Sequence, residues 1–139
     1  MIVIGSDHAG FEAKQKLITH MESQNIKYID KGAYSGESVD YPDVALEVCK
    51  HGGMGVLICG TGIGMSIAAN KVRGIRAALC HDEHTAQMSR EHNDANVLCV
   101  GARLLSVDEI VRIFDKFVLT EFGGGRHAGR VDKMMDMEG

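Results

Sequence analysis

Cys59-Gly60-Thr61-Gly62-Ile63-Gly64-Met65-Ser66 decides how this chain is read, because a thiol closes an apolar run there and a glycine-rich turn opens a helical one. Gly55 to Cys59 has the length and β-rich apolar character of a strand, and Gly64 to Val72 has helical period. The glycines let the backbone turn its N–H groups toward a ligand, and the helix N-terminus adds a partial positive charge. Such a loop suits an anion, or an oxygen that becomes one, as in an enediolate. A tight connection with no ligand is the plainer alternative, since glycine marks turns generally.

Working outward, the same alternation covers most of the chain. Ile2 to Gly5, Lys27 to Asp30, Arg76 to Cys80 and Asn96 to Val100 read as further strands. Phe11 to Glu22, Pro42 to Lys50, Glu83 to Glu91 and Val107 to Leu119 read as helices, with Pro42 suited to a first helical turn. Strict alternation predicts an α/β fold: a three-layer, doubly wound, Rossmann-like sandwich with a five-stranded parallel sheet, right-handed crossovers and helices on both faces. Ligands in this architecture bind beyond the carboxyl ends of the strands. Ser6-Asp7-His8, Gly60 to Ser66 and His81 to His84 all fall at such ends. After Leu119 the chain has three glycines, Gly123 to Gly125, and then a helical stretch from Arg126 to Met137. We expect one domain over residues 1–139, with residues 121–139 as an arm that packs on a partner subunit.

Composition removes several classes of function. The 139 residues are 45% hydrophobic, as expected of one compact core. Fifteen basic residues are scattered among nineteen acidic ones, for a net charge of −4, so the footprint of a nucleic-acid binder is missing. Aromatic residues make up 5% with no Trp, which leaves no stacking platform for single strands. The first apolar run, Met1 to Ile4, is soon followed by charge, so no signal peptide or membrane span can be placed and a cytoplasmic protein is expected. The four cysteines are far apart, three of them in apolar runs, which argues against a disulfide framework.

Competing motifs fail on detail. Asp82 lies about twenty residues beyond the glycine loop, as a dinucleotide fingerprint requires. The third glycine position, however, holds Met65 or Ile67, and the loop follows the third strand instead of the first. A Walker loop is excluded because no Gly-Lys-Ser/Thr is present.

Cys59 is either a core thiol or, beside a helix N-terminus, a base or nucleophile. Thr61 stands two residues on, placed for a proton relay. Asp7 and His8 occupy the first strand-to-helix turn, with Gly10 allowing close approach; Asp7 as a mere helix cap is the alternative. His92-Asn93 closes the fourth helix, where a histidine also complements the helix dipole. Arg126 and Arg130 lie at i and i+4 on one helical face, so two guanidinium forks converge on a phosphate or simply face water. Arg103, after the fifth strand, adds a third positive charge. His81-Asp82-Glu83-His84 lacks the second cluster a metal site needs.

Taken together, six segments in order resemble one family, the ribose-5-phosphate isomerase B and galactose-6-phosphate isomerase group. They are Gly5-Ser-Asp-His-Ala-Gly10, Asp40-Tyr-Pro42, Ile58-Cys-Gly-Thr-Gly62, Ala69-Asn-Lys71, Arg90-Glu-His-Asn-Asp94 and Gly124-Gly-Arg-His127. The resemblance implies conversion of D-ribose 5-phosphate to D-ribulose 5-phosphate, a step of pentose phosphate metabolism, through a cis-enediolate and with no metal or organic cofactor. It implies Cys59 as the base at C2 and Thr61 as the residue assisting proton movement between O1 and O2. The backbone of Gly60, Gly62, Ile63 and Gly64 would stabilise the enediolate. By the same resemblance His92 opens the furanose ring and Asn93 holds substrate. Asp7 binds a sugar hydroxyl, Tyr41 lines the site, and His8, Arg103, Arg126 and Arg130 hold the phosphate and other oxygens. A homodimer or homotetramer with shared sites is implied.

Some members use a glutamate later in the loop, but Ile63 to Ala68 has no acid, so the cysteine version applies. The galactose branch departs from the His92-Asn93 or Asp7-His8 pair, and this chain keeps both, which favours the pentose. A hexose 6-phosphate isomerase is the nearest alternative. A non-catalytic sugar-phosphate or nucleotide binder, and a cysteine hydrolase, are the others; the hydrolase lacks a Gly-x-Ser-x-Gly elbow.

Overall fold

The computed structural model describes all of residues 1–139. Its elements alternate as expected: β1 (Ile2–Ser6), α1 (Phe11–Ser23), β2 (Tyr28–Asp30), α2 (Tyr41–His51), β3 (Met54–Cys59), α3 (Ile63–Ala69), β4 (Ala77–Leu79), α4 (Glu83–Glu91), β5 (Val97–Gly101), α5 (Val107–Leu119) and α6 (Arg126–Asp136). All strand pairs are parallel, in the order β2-β1-β3-β5-β4. The last strand therefore slots inside the fourth. Alternation of elements predicts a parallel sheet but not this exchange, which depends on how far each crossover travels.

Right-handed crossovers then dictate the layers. β1 to β2 and β4 to β5 step one way across the sheet, β2 to β3 and β3 to β4 the other. Accordingly α1 and α4, joined by α5, cover one face, where Ile4, Ile58, Leu98 and Val100 meet Leu17, Ala86, Ile113 and Phe114. On the other face α2 and α3 bring Val44, Val48, Met65 and Ala69 against Val3, Leu57, Cys59 and Cys99. The helices present the spacing this needs. In α5, Ile110, Ile113, Phe114 and Phe117 are buried at i, i+3, i+4 and i+7, each phenylalanine contributing about 1.5–3 kcal/mol relative to exposure.

Local chemistry fixes the ends. Ser106 and Glu109 form a capping box at α5, and Asp82 and Thr85 form one at α4. The short Lys50-to-Met54 connection turns at the surface through Gly52 and Gly53, both at positive φ. The open edge of β4 is closed by a side chain: Asn70 accepts from Ala77 N at 2.8 Å and donates to Ala77 O at 3.0 Å. An amide standing in for a strand there satisfies backbone that would otherwise invite another chain to pair.

The C-terminal helix α6 also makes contacts within its own chain, at the amino edge of the sheet. His127 stacks on His92 with ring centroids 4.3 Å apart, and Val131 is buried. Arg73 donates to the carbonyls of Glu138 and Gly139, both at 3.0 Å. No helix is long and apolar enough to cross a membrane.

Candidate active site

The carboxyl ends of β1, β3 and β5 meet where the strand order reverses, the crevice in which doubly wound folds bind ligands. Cys59, last residue of β3, is 5% exposed and points into the α2–α3 side. Its sulfur accepts the N–H of Gly62 at 3.2 Å, a contact that a thiolate uses. Gly62 achieves this at φ +80, with Val100 C and Leu79 Cδ1 so close that a Cβ has no room. Elsewhere in the core, burial pushes the Cys49 thiol pKa up to about 11, raises that of Cys80, and holds that of Cys99 well above the ordinary thiol value.

Around the loop stand the other expected groups of this edge. Thr61 is exposed, its Oγ1 accepting from Ile63 N at 3.3 Å. The Tyr41 ring covers Gly64, where a Cβ would come within 2.7 Å of it. Arg103 lies over Gly60 and its N–H donates to the Gly60 carbonyl at 2.9 Å. Asp7 is buried and accepts from Gly10 N at 3.0 Å, so its carboxylate shapes the turn; α1 itself has no side-chain cap. Gly10 is required there, since a Cβ would lie 2.5 Å from the Ile58 carbonyl oxygen. His8 is exposed, with Nδ1 facing Val39 N at 3.4 Å.

A second group sits elsewhere. α4 returns across the sheet, so His92 at its C-terminus and Asn93 lie at the amino edge, as do Arg126 and Arg130 on α6. His127 joins them by stacking, and partial burial, then His92, Arg126 and Arg130, push its pKa below the usual histidine value. β5 has five residues at about 3.3 Å rise each, so roughly 16 Å of sheet separates the two groups. Within one chain Arg103 therefore does not join Arg126 and Arg130, and His92 does not face Cys59.

His81 to His84 has a local task. Asp82 caps α4, accepting Thr85 N at 2.7 Å, and that bond keeps its carboxyl below the usual carboxylate range. Spacing alone did not reveal His127 or the buried Lys14, although the i, i+4 pair Arg90 and Asp94 was open to such a reading.

A parallel sheet with a buried thiol under a glycine-rich loop, ringed by carboxylate, imidazole and guanidinium groups, has the make-up of an α/β enzyme site. Comparison with known proteins narrows the class. Residues 2–134 match the family model described as Ribose/Galactose Isomerase. Ribose-5-phosphate isomerase B of Escherichia coli is 43% identical, with 99% of this chain and 95% of that one covered. A putative sugar phosphate isomerase of Bacillus subtilis is 46% identical, with coverage of 99% and 96%. Among solved structures, ribose-5-phosphate isomerase B of Clostridium thermocellum superposes with a TM-score of 0.96 at 47% identity, covering 99% of this chain and 96% of that one. The type B enzyme of Trypanosoma cruzi gives 0.93 at 47%, covering 99% and 97%. This chain belongs to the Ribose/Galactose Isomerase family and is an isomerase.

Proposed function

We propose that the chain interconverts D-ribose 5-phosphate and D-ribulose 5-phosphate. The observation that carries the reading is Cys59 beneath the Gly60–Gly64 loop, with the Gly62 N–H aimed at its sulfur. Relatives bearing the names of ribose-5-phosphate isomerases support it over full length.

The chemistry proceeds in two stages. His92 moves a proton from the anomeric O1 hydroxyl to the ring oxygen as the C1–O4 bond breaks, leaving an open-chain aldehyde. The Cys59 thiolate then takes the C2 proton while O1 gains the negative charge of an enediolate. Thr61 relays a proton from O2 to O1, and the Cys59 proton is delivered to C1, giving the C2 ketone. Backbone N–H groups of the loop face the developing oxyanion, where one donor is worth about 3–4 kcal/mol of barrier. Asp7 and Asn93 hold hydroxyls, Tyr41 lines the pocket, and His8, Arg103, Arg126 and Arg130 hold the phosphate. No bond is made to the thiol.

Because the ring-opening and base groups stand at opposite edges of one chain, a second copy completes the site. A homodimer related by a two-fold axis sets each carboxyl edge against its partner's amino edge, closing two equal sites. Supporting this, Ile63, Ile67, Leu79 and Leu104 expose 49%, 58%, 40% and 68% of their surface. Ile63, Leu79 and Leu104, with Thr61, border a cleft of about 150 Å³ beside the loop.

The test is ketose formation from ribose 5-phosphate by the wild type and Cys59→Ala, with chelator present throughout. Loss of about 10² to 10⁴-fold in a folded variant is expected of a proton-transfer base. An unimpaired variant contradicts the mechanism. Faster turnover of allose or galactose 6-phosphate than of the pentose would replace the substrate by a hexose.

A further inference from the structure

The segment bearing His92 and Asn93 is gripped on both sides by groups to which the two-stage chemistry gives no task. Arg90, in the last turn of α4, donates from Nη1 to Asp94 Oδ1 at 3.0 Å and to the Ala95 carbonyl at 2.6 Å. Its Nε donates to the Thr120 carbonyl at 3.2 Å, and its guanidinium lies 5.7 Å from the centroid of the Phe117 ring. Asp94 turns the chain at φ +47. Arg76 faces its carboxylate at 3.5 Å and donates from Nε to its carbonyl at 2.9 Å. Arg76 also reaches Met135 Sδ of α6 at 3.4 Å. The Glu91 carbonyl accepts Gly123 N at 2.9 Å. Arg90 and Arg76 side chains are only 12% and 17% exposed.

One guanidinium thus bonds the residues following His92 and also the chain leading into the arm. Freed of it, the His92-Asn93 turn would keep the Arg76 contacts to Asp94 and the last backbone bonds of a helix end, which fray easily. The arm's root would lose its tie to α4 at Thr120. The turn and the arm would then stay linked only by the His92–His127 stack, the Gly123 N–H bond to the Glu91 carbonyl and the reach of Arg76 to Met135, so the imidazole and the arm's two arginines would lose their fixed relative placement.

We propose that Arg90, acting with Asp94, is a positioning residue that locks the His92-Asn93 turn and the root of α6 into one rigid body. That body carries the ring-opening imidazole and the phosphate-gripping guanidiniums to the sugar together. The proposal rests on the isomerase reading above. Its consequence is selective. Ring opening depends on this body, whereas enolisation depends on Cys59 and Thr61 at the far edge of the sheet.

Ribulose 5-phosphate separates the two. With its 5-hydroxyl phosphorylated it has no hydroxyl that closes a furanose on C2, so exchange of its C1 proton with solvent requires no ring step. In D₂O at saturating ketose, C1 exchange and net aldose formation are followed together by NMR, alongside turnover of ribose 5-phosphate. For Arg90→Lys and Asp94→Asn we expect turnover of the ring aldose to fall by about 10 to 100-fold, as misplacing a catalytic group by about 1 Å does. C1 exchange should fall by less than about threefold, since Cys59 and Thr61 stay in place and saturating ketose offsets weaker phosphate binding. A purely structural role lowers both reactions in proportion to the folded fraction, read from the melting transition, and overturns the proposal. Unchanged ring-aldose turnover in either folded variant overturns it too. If Arg90→Lys does not fold, Asp94→Asn, on a side chain 36% exposed and matched in size, gives the same reading. Cys59→Ala should abolish exchange. A wild type that neither isomerises nor exchanges defeats the isomerase reading and this proposal with it.

Discussion

Gly62 has the most constrained backbone in the site. Its φ of +80 costs a side-chain-bearing residue about 1–2 kcal/mol, and a Cβ would press within 2.9 Å of the Val100 carbonyl carbon. Gly62→Ala should lower stability by at least about 2 kcal/mol and also weaken catalysis, because relief of the clash moves the N–H away from Cys59. Urea denaturation together with turnover checks this; a stable, fully active variant contradicts it. Lys14 is a second such point. Fully buried in α1, its ammonium binds both oxygens of Asp30 at 2.7 and 2.9 Å and the Ala33 carbonyl, which anchors the segment leading to Val39 and Tyr41. Lys14→Met strands the carboxylate and should cost about 3 kcal/mol, the low end for a broken buried pair because Asp30 is 24% exposed. An unchanged urea midpoint would contradict that. The placement of Cys59, Thr61 and Asp7 at the carboxyl edge of the sheet was legible in the sequence, because each stands at or just beyond the end of an apolar run; their roles came only from the family resemblance. Lys14 was not, since a lysine inside a helical pattern reads as solvated until its partner sixteen residues away is placed beside it.

At the level of elements, pattern and punctuation agree, so the strands and helices were legible to within one residue, except that α3 ends at Ala69, three residues short of Val72, where the Asn70 side chain turns to β4. Asp82 and Ser106 start α4 and α5 with side-chain N-caps, and apolar spacing does the rest. Asp82→Ala should cost about 0.5–2 kcal/mol by melting, with turnover retained, as a cap and not a ligand predicts. Sequence could not show where α6 would lie, because its docking depends on tertiary contacts at His127, Val131 and Arg73. That docking is pH-sensitive. His127 binds its proton more weakly folded than unfolded, so its contribution is complete above pH 6.5 and is lost as pH falls through the lowered folded value. The urea midpoint should therefore drop between about pH 7.5 and about 5.5, and drop less in His127→Gln. Equal drops in both proteins would remove His127 as the cause.

On the scale of the whole molecule, the sheet itself divides the chemistry. Parallel strands send every β–α turn to one edge and every α–β turn to the other, so residues from the two kinds of turn cannot meet inside one chain. The sequence placed Asp7-His8, Gly60 to Ser66 and His81 to His84 at the carboxyl edge, but it did not place His92 or the arginines of α6 at the opposite one. It could not show the strand order β2-β1-β3-β5-β4, because length and period say nothing of how far a crossover reaches. The homodimer proposed above would resolve the division by setting Cys59 of one subunit against His92 of the other. Co-refolding equal amounts of Cys59→Ala and His92→Ala chains tests this directly. Half the dimers are then mixed, and each mixed dimer holds one intact and one doubly damaged site, so activity should return to about a quarter of wild type. Activity no greater than the two variants give separately would contradict a site shared between subunits.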